Sequence, residues 1–177
     1  MRFVETDLVG VMIVEPELHQ DERGFFTRLG CEEEFAAAGI HFTARQTSLS
    51  RNMTRHTLRG MHACLEPEAK LVRCTRGKIL DVVFDIRRDS STFGRSFGIE
   101  LDAESARALY VPAGVAHGFL TLAPRTDVFY QIDRLYRPGF DFGLRWNDPS
   151  FAFAWPDAPA VISERDANYP DFPLEQN

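Results

Sequence analysis

Apolar and polar positions alternate in short blocks along most of this chain, and glycine or proline separates the blocks. That pattern predicts many short strands and little helix. Leu8 to Val14 is apolar and β-branched, a strand stopped by Glu15-Pro16. His19 to Gly24 reads as a polar turn. Glu32 to Ala38 is the one helix the pattern predicts. Its acidic first turn suits the positive end of a helix dipole, and Gly39 stops it at the C′ position. Gln46 to Arg51 alternates loosely, as a strand with its polar groups to one side. Leu71 to Arg87 reads as two strands joined at Gly77, and Lys78 to Arg87 is the clearest of all. There Leu80, Val82, Phe84 and Ile86 line one face, while Asp81 and Asp85 fall on the other with Ile79 and Val83.

Further on, Asp89 to Thr92 is a loop, and Phe97–Leu101 and Ala108–Val111 are short strands. Pro112 to Phe119 reads as a turn that bears His117. In Asp127 to Ile132, Val128, Tyr130 and Ile132 share one face. From Arg145 onward prolines stand at 149, 156, 159, 170 and 173, so this tail is expected as extended coil packed on the domain. No repeat, linker or low-complexity segment interrupts the pattern. Short strands between Gly/Pro turns, with a single helix, imply an all-β sandwich or barrel.

Composition narrows this further. A chain of 177 residues is the length of one ordinary domain, and residues 1–177 are read as one. Fifteen phenylalanines suit a β-rich core and aromatic-lined pockets. The net charge of -6, with no basic tract, argues against nucleic-acid binding but leaves room for a phosphorylated ligand gripped by a few arginines. Three cysteines, Cys31, Cys64 and Cys74, make neither an even framework nor a CxxC pair. Met1–Asp7 has no apolar signal core, and no uncharged run reaches membrane-spanning length. A cytoplasmic protein is expected, with no nucleic-acid or membrane partner.

The chemistry concentrates between Thr57 and Lys70, where Arg59, His62 and Lys70 stand on or just before a strongly apolar stretch. Polar titratable groups in that setting suit a site in the mouth of a barrel. His62 and His117 each lie close to a glycine at the end of an apolar segment, whereas His19, His41 and His56 sit among polar neighbours and are expected at the surface. Two histidines and Glu66 would make a non-haem iron set, but Cys64 stands where a His-x-His pair would put its second ligand. Without a metal, a histidine in an apolar pocket is a natural general base once a carboxylate orients it, and Asp166 can reach back from the tail. Tyr130 and Tyr136 lie on or just after a core strand. Arg23 and Arg59 each precede glycine, which lets backbone and guanidinium approach an anion.

Eight short motifs then occur in order: Arg23-Gly-Phe-Phe26, Leu58-Arg-Gly-Met-His62, Lys70-Leu-Val-Arg73, Asp81 to Arg87, Thr92-Phe-Gly94, Pro112 to Phe119, Trp146-Asn-Asp-Pro149 and Ser163-Glu-Arg-Asp166. Together, over roughly Leu8 to Phe172, they resemble dTDP-4-dehydrorhamnose 3,5-epimerases and their nucleotide-sugar relatives. The resemblance implies a cupin-type jelly-roll β-barrel with few short helices and an extended C-terminal tail. It also implies a homodimer whose first strand contributes to the neighbouring subunit, and catalysis without metal or redox cofactor. By the same resemblance His62 is the base, Asp166 its carboxylate partner, Tyr130 the acid on the opposite face and Lys70 the cation at the enolate oxygen. Arg23 and Arg59 would hold a pyrophosphate and His117 would line the sugar pocket, with Phe26, Gln46, Ser48 and Tyr136 also binding substrate. Three positions depart from the family pattern: Arg28 replaces a glutamate, Ser48 an asparagine and Cys64 a glutamine. They leave open an enzyme acting at carbon 3 only, or on another nucleotide sugar. Two other classes remain, a metal-dependent cupin oxygenase or isomerase and a silent sugar-nucleotide-binding cupin.

Overall fold

In a computed structural model that describes residues 1–173, the alternating blocks become strands and the helical content is small. The elements in order are β1 (Arg2–Glu5), β2 (Met12–Glu15), β3 (His19–Asp21), β4 (Gly24–Phe26), α1 (Glu32–Ala37), β5 (Gln46–Asn52), β6 (Leu58–Cys64), β7 (Lys70–Arg76) and β8 (Lys78–Asp85). They continue with β9 (Ser96–Asp102), β10 (Ala108–Val111), β11 (Val115–Thr121), β12 (Thr126–Ile132), β13 (Asp141–Gly143), a 3₁₀ turn (Pro149–Phe151) and α2 (Glu164–Ala167). Two antiparallel sheets face each other, one in the order β1-β2-β10-β7-β12-β5 and the other β13-β6-β11-β8-β9. This is the cupin-type jelly roll expected from the motifs.

Consecutive strands β7 and β8 do not pair. Gly77, at φ +78°, turns the chain from one sheet to the other, and a Cβ there would come 2.5 Å from Thr126 Oγ1. The core between the sheets follows the period-2 pattern. Val72, Cys74, Leu109, Val111 and Val128 from the first sheet meet Ile79, Val83, Leu101, Val115 and Phe119 from the second. The outer face of the second sheet is also apolar. Met61, Val82, Phe84 and Ala116 are covered there by Leu144, Phe151, Phe153 and Trp155 of the C-terminal segment. Phe84 stacks on Phe151 with centroids 4.3 Å apart, worth about 0.5–1.5 kcal/mol beyond its buried area. On the outer face of the first sheet, α1 seats only Phe35, against Phe3 and Phe42.

Four expectations change. The apolar run from Leu8 is a strand only from Met12. Gly10 adopts φ +78°, and Thr6 Oγ1 donates to Val11 O at 2.9 Å, so Leu8 and Val11 are buried by a turn. His19–Gly24, expected as a polar turn, is mostly strand in a two-stranded hairpin, because backbone pairing needs no apolar pattern. The strand from Lys78 stops at Asp85, whose carboxylate caps the turn that follows by accepting from the Arg87 N–H, Ser90 and Thr92. The tail is not wholly extended, since Asp148 caps the 3₁₀ turn and Ser163 caps the one-turn helix α2.

Candidate active site

The polar groups converge because strand alternation puts them on the inner face. On β8, Ile79 and Val83 point into the core, so Asp81 between them does too. On β11, Val115 and Phe119 flank His117 in the same way. On β7, Lys70 shares the face of Val72 and Cys74, and on β12 Tyr130 shares that of Val128. Met61 and Ala63 belong to the outer apolar layer, which turns His62 inward. His62 and His117 are register partners across β6 and β11. The strands draw close beside them because a Cβ on Gly60, at φ +131°, would lie 2.5 Å from Gly118 Cα.

His62 Nε2 lies 2.9 Å from Asp166 Oδ1, and Gly60 N–H donates to Asp166 Oδ2 at 3.1 Å. The His62 side chain is 42% exposed and that of Asp166 only 8%. Burial pushes the Asp166 carboxyl up, but hydrogen bonds from His62, Gly60 and the Ser163 side chain outweigh it and hold the carboxyl below its usual range. With Nε2–H donating to that carboxylate, Nδ1 carries the imidazole lone pair. α2 delivers Asp166, and Tyr169 just beyond it packs its ring on Gly143 and stands perpendicular to His62 at 6.0 Å.

Tyr130 is on the other sheet, so phenol and imidazole rise from opposing walls. Burial first, and then the Asp81 charge, push its hydroxyl far above the ordinary value, against the pull of Arg59 and the Ser50 hydroxyl. Lys70 is 8% exposed, with Nζ 3.2 Å from Glu68 Oε1. Arg59 is exposed at the rim, and its Nε–H donates to Asn52 Oδ1 at 2.8 Å. Ser48 is the register partner of Tyr130, and Gln46 Oε1 accepts from the Tyr136 N–H at 2.9 Å.

Not every predicted residue joins this cluster. Arg23 and Phe26 lie on the exposed β3–β4 hairpin, and Arg23 hydrogen-bonds Asp21 within it. His117 is not on a turn but in mid-strand, 4% exposed, with Nε2 2.7 Å from Asp81 Oδ1. His56, expected at the surface, is largely covered and lies 3.3 Å from Asp157. The sequence reading passed over Asp81, Ser50, Asn52 and Tyr169. For Asp81 the signal was present, a carboxylate on the same strand face as Ile79 and Val83. Among the described residues no three His, Cys, Asp or Glu side chains cluster as a metal donor set. A cleft of about 500 Å³ beside Leu8, Ile40 and Tyr110 holds none of these groups. The arrangement can take a proton at His62, hold negative charge near Lys70 and give a proton from Tyr130.

The family model described as dTDP-4-dehydrorhamnose 3,5-epimerase matches residues 5–173. A dTDP-4-dehydrorhamnose 3,5-epimerase from Methanothermobacter thermautotrophicus is 40% identical over 180 residues, covering 99% of this chain and 96% of that protein. The structure of a dTDP-4-dehydrorhamnose 3,5-epimerase from Bacillus anthracis with TDP and PPi bound superposes with TM-score 0.93 at 36% identity, over 97% of this chain and 99% of that one. A 3'-monoepimerase from Streptomyces bikiniensis, in complex with dTDP-quinovose, superposes with TM-score 0.87 at 35% identity, over 94% of this chain and 85% of that one.

Proposed function

This chain belongs to the dTDP-4-dehydrorhamnose 3,5-epimerase family, and on that premise we propose that it inverts carbon 3, carbon 5 or both in a dTDP-linked 4-keto-6-deoxyhexose. His62 removes the proton next to the ketone, and the electron pair moves to the ketone oxygen as an enolate. The Lys70 ammonium meets that oxygen, an interaction typically worth about 3 kcal/mol for one well-placed donor. Tyr130 returns a proton to the same carbon from the other face, and the ketone re-forms. Proton transfers alone balance the reaction. The observation that carries this reading is the Asp166-paired His62 on one wall and the partly buried phenol of Tyr130 on the other.

Arg59, at the rim, is the pyrophosphate anchor within the chain, Gln46, Ser48 and Tyr136 also bind substrate, and His117 lines the sugar pocket. Arg23 and Phe26 act from a second copy of the chain, and the working form is a homodimer of single-domain subunits. Support comes from β5, an edge strand with Leu49 58% exposed, and from the uncovered Phe26 at 74%. Three free thiols fit a reducing cytoplasm. Light scattering on the purified chain is expected to give twice the mass of one subunit, and a monomer at working concentration would remove this part of the reading.

The test of the activity is a proton NMR time course with dTDP-4-keto-6-deoxyglucose in deuterated buffer. Loss of signal at both C3 and C5 is expected of a double epimerase. Exchange at C3 alone would identify the mono-epimerase, a second reading favoured by the Streptomyces bikiniensis relative. Exchange at neither carbon, or full turnover by His62→Ala or Tyr130→Phe, would overturn the mechanism.

A further inference from the structure

Proton return to the second face requires a phenol that stays protonated and keeps its direction, and the sheet that faces Tyr130 across the barrel has an unused device for this. Asp81 is 0% exposed, with Oδ1 2.7 Å from His117 Nε2. Its other oxygen, Oδ2, has no hydrogen-bond partner among the described residues. A buried carboxylate with an idle oxygen burdens the fold, so its presence in the middle of β8 asks for a reason. His117 is itself buried, and its ring stands at 79° to that of Tyr130 with centroids 6.2 Å apart. Phe119, opposite Asp81 in register, lies with its ring centroid 6.4 Å from that of Tyr130. The other polar and charged groups on the faces around Tyr130 are Arg59 and His62 of β6, Lys70 of β7, and Ser48 and Ser50 of β5. Asp81 supplies the negative charge from β8.

We propose that Asp81 is a positioning residue for proton return: it clamps His117 against Tyr130 and holds the phenol as a neutral, fixed donor on the wall opposite His62. Asp81 is too deeply buried to touch the sugar and acts through these two rings. The rise of the Tyr130 hydroxyl caused in part by the Asp81 charge points the same way. This inference rests on the epimerase reading above.

Asp81→Asn keeps the shape and removes the charge, and deuterated buffer separates the two halves of the reaction. Deuterium enters without inversion when His62 returns it to the face it came from, which needs no Tyr130. For Asp81→Asn, deuterated but uninverted substrate is expected to accumulate at least about tenfold faster, relative to inverted product, than for the wild type. The melting temperature is expected to be unchanged or higher. Exchange and inversion falling in the same proportion would overturn the proposal and leave Asp81 a barrel support. Should Asp81→Asn not fold, Asp81→Glu, which displaces the carboxylate, is held to the same ratio. A wild type that exchanges no deuterium removes the epimerase reading itself, so the two failures are distinct.

Discussion

Asp166→Asn tests the base through the group that orients it. The carboxylate is 8% exposed at its side chain, accepts from His62 at 2.9 Å and from Gly60 N–H at 3.1 Å, and stays ionised through the neutral range because those bonds outweigh its burial. Asparagine preserves volume and an acceptor but gives no charge to stabilise the imidazolium as it forms. A positioned general base contributes about 10²–10⁴-fold. His62 is 42% exposed, so water screens the pair and places the loss near the lower end, about 100-fold in kcat or about 2.7 kcal/mol. KM should stay within about threefold, since Asp166 sits behind the histidine and does not meet the sugar. Asp166→Ala adds a stability cost that asparagine avoids. It strands the Gly60 N–H, at about 1–3 kcal/mol, or roughly 2–12 °C in melting temperature for a chain of this size. Steady-state kinetics and thermal melts of both variants decide the matter. An asparagine variant within threefold of wild-type kcat, or one changed only in KM, would refute the assignment of His62 and Asp166 as base and orienting group.

Lys70→Met should lower kcat about 100-fold, close to 3 kcal/mol, and slow deuterium entry equally, because it removes the enolate's counter-charge before the paths diverge. Deuterium entry at the wild-type rate would exclude that role. Asp85 is held at about pKa 2: burial would raise it, but hydrogen bonds from Arg87, Thr92 and Ser90 outweigh that. Its folded value is depressed, so up to about 2 kcal/mol of stability is present above about pH 4 and lost as pH falls towards 2. Melts of wild type and Asp85→Asn between pH 2 and 6 should therefore converge at the acid end. Gly143→Ala drives a methyl into the Tyr169 ring beside His62. Overpacking of that kind costs about 1–3 kcal/mol. Calorimetry should show the lower melting temperature, with kcat reduced because Tyr169 and Asp166 share one short segment.

Much of this molecule was legible along the chain, and what was not has definite causes. Alternation over Lys78 to Arg87 and Asp127 to Ile132 gave both strands to within two residues and sorted their two faces, and Gly39 marked the end of α1. Spacing also brought out Arg59, His62 and Lys70, since titratable groups on apolar strands stand out locally, whereas the role expected of Tyr130 came from the family resemblance. Leu8–Val11 misled because apolarity dictates burial but not conformation, and a turn with one glycine at positive φ buries Leu8 and Val11 as fully as a strand would. The β3–β4 hairpin was missed because its pairing is a backbone affair. The sequence by itself thus determined the strand pattern and singled out the side chains proposed to carry the chemistry. Only the tertiary structure decided that Gly77 sends β7 and β8 to different sheets, that a one-turn helix, α2, is what carries Asp166 to His62, and that Asp81 pairs with His117 on the sheet facing Tyr130. Periodicity is a property of neighbours in the chain, whereas these pairings depend on how two sheets close on each other.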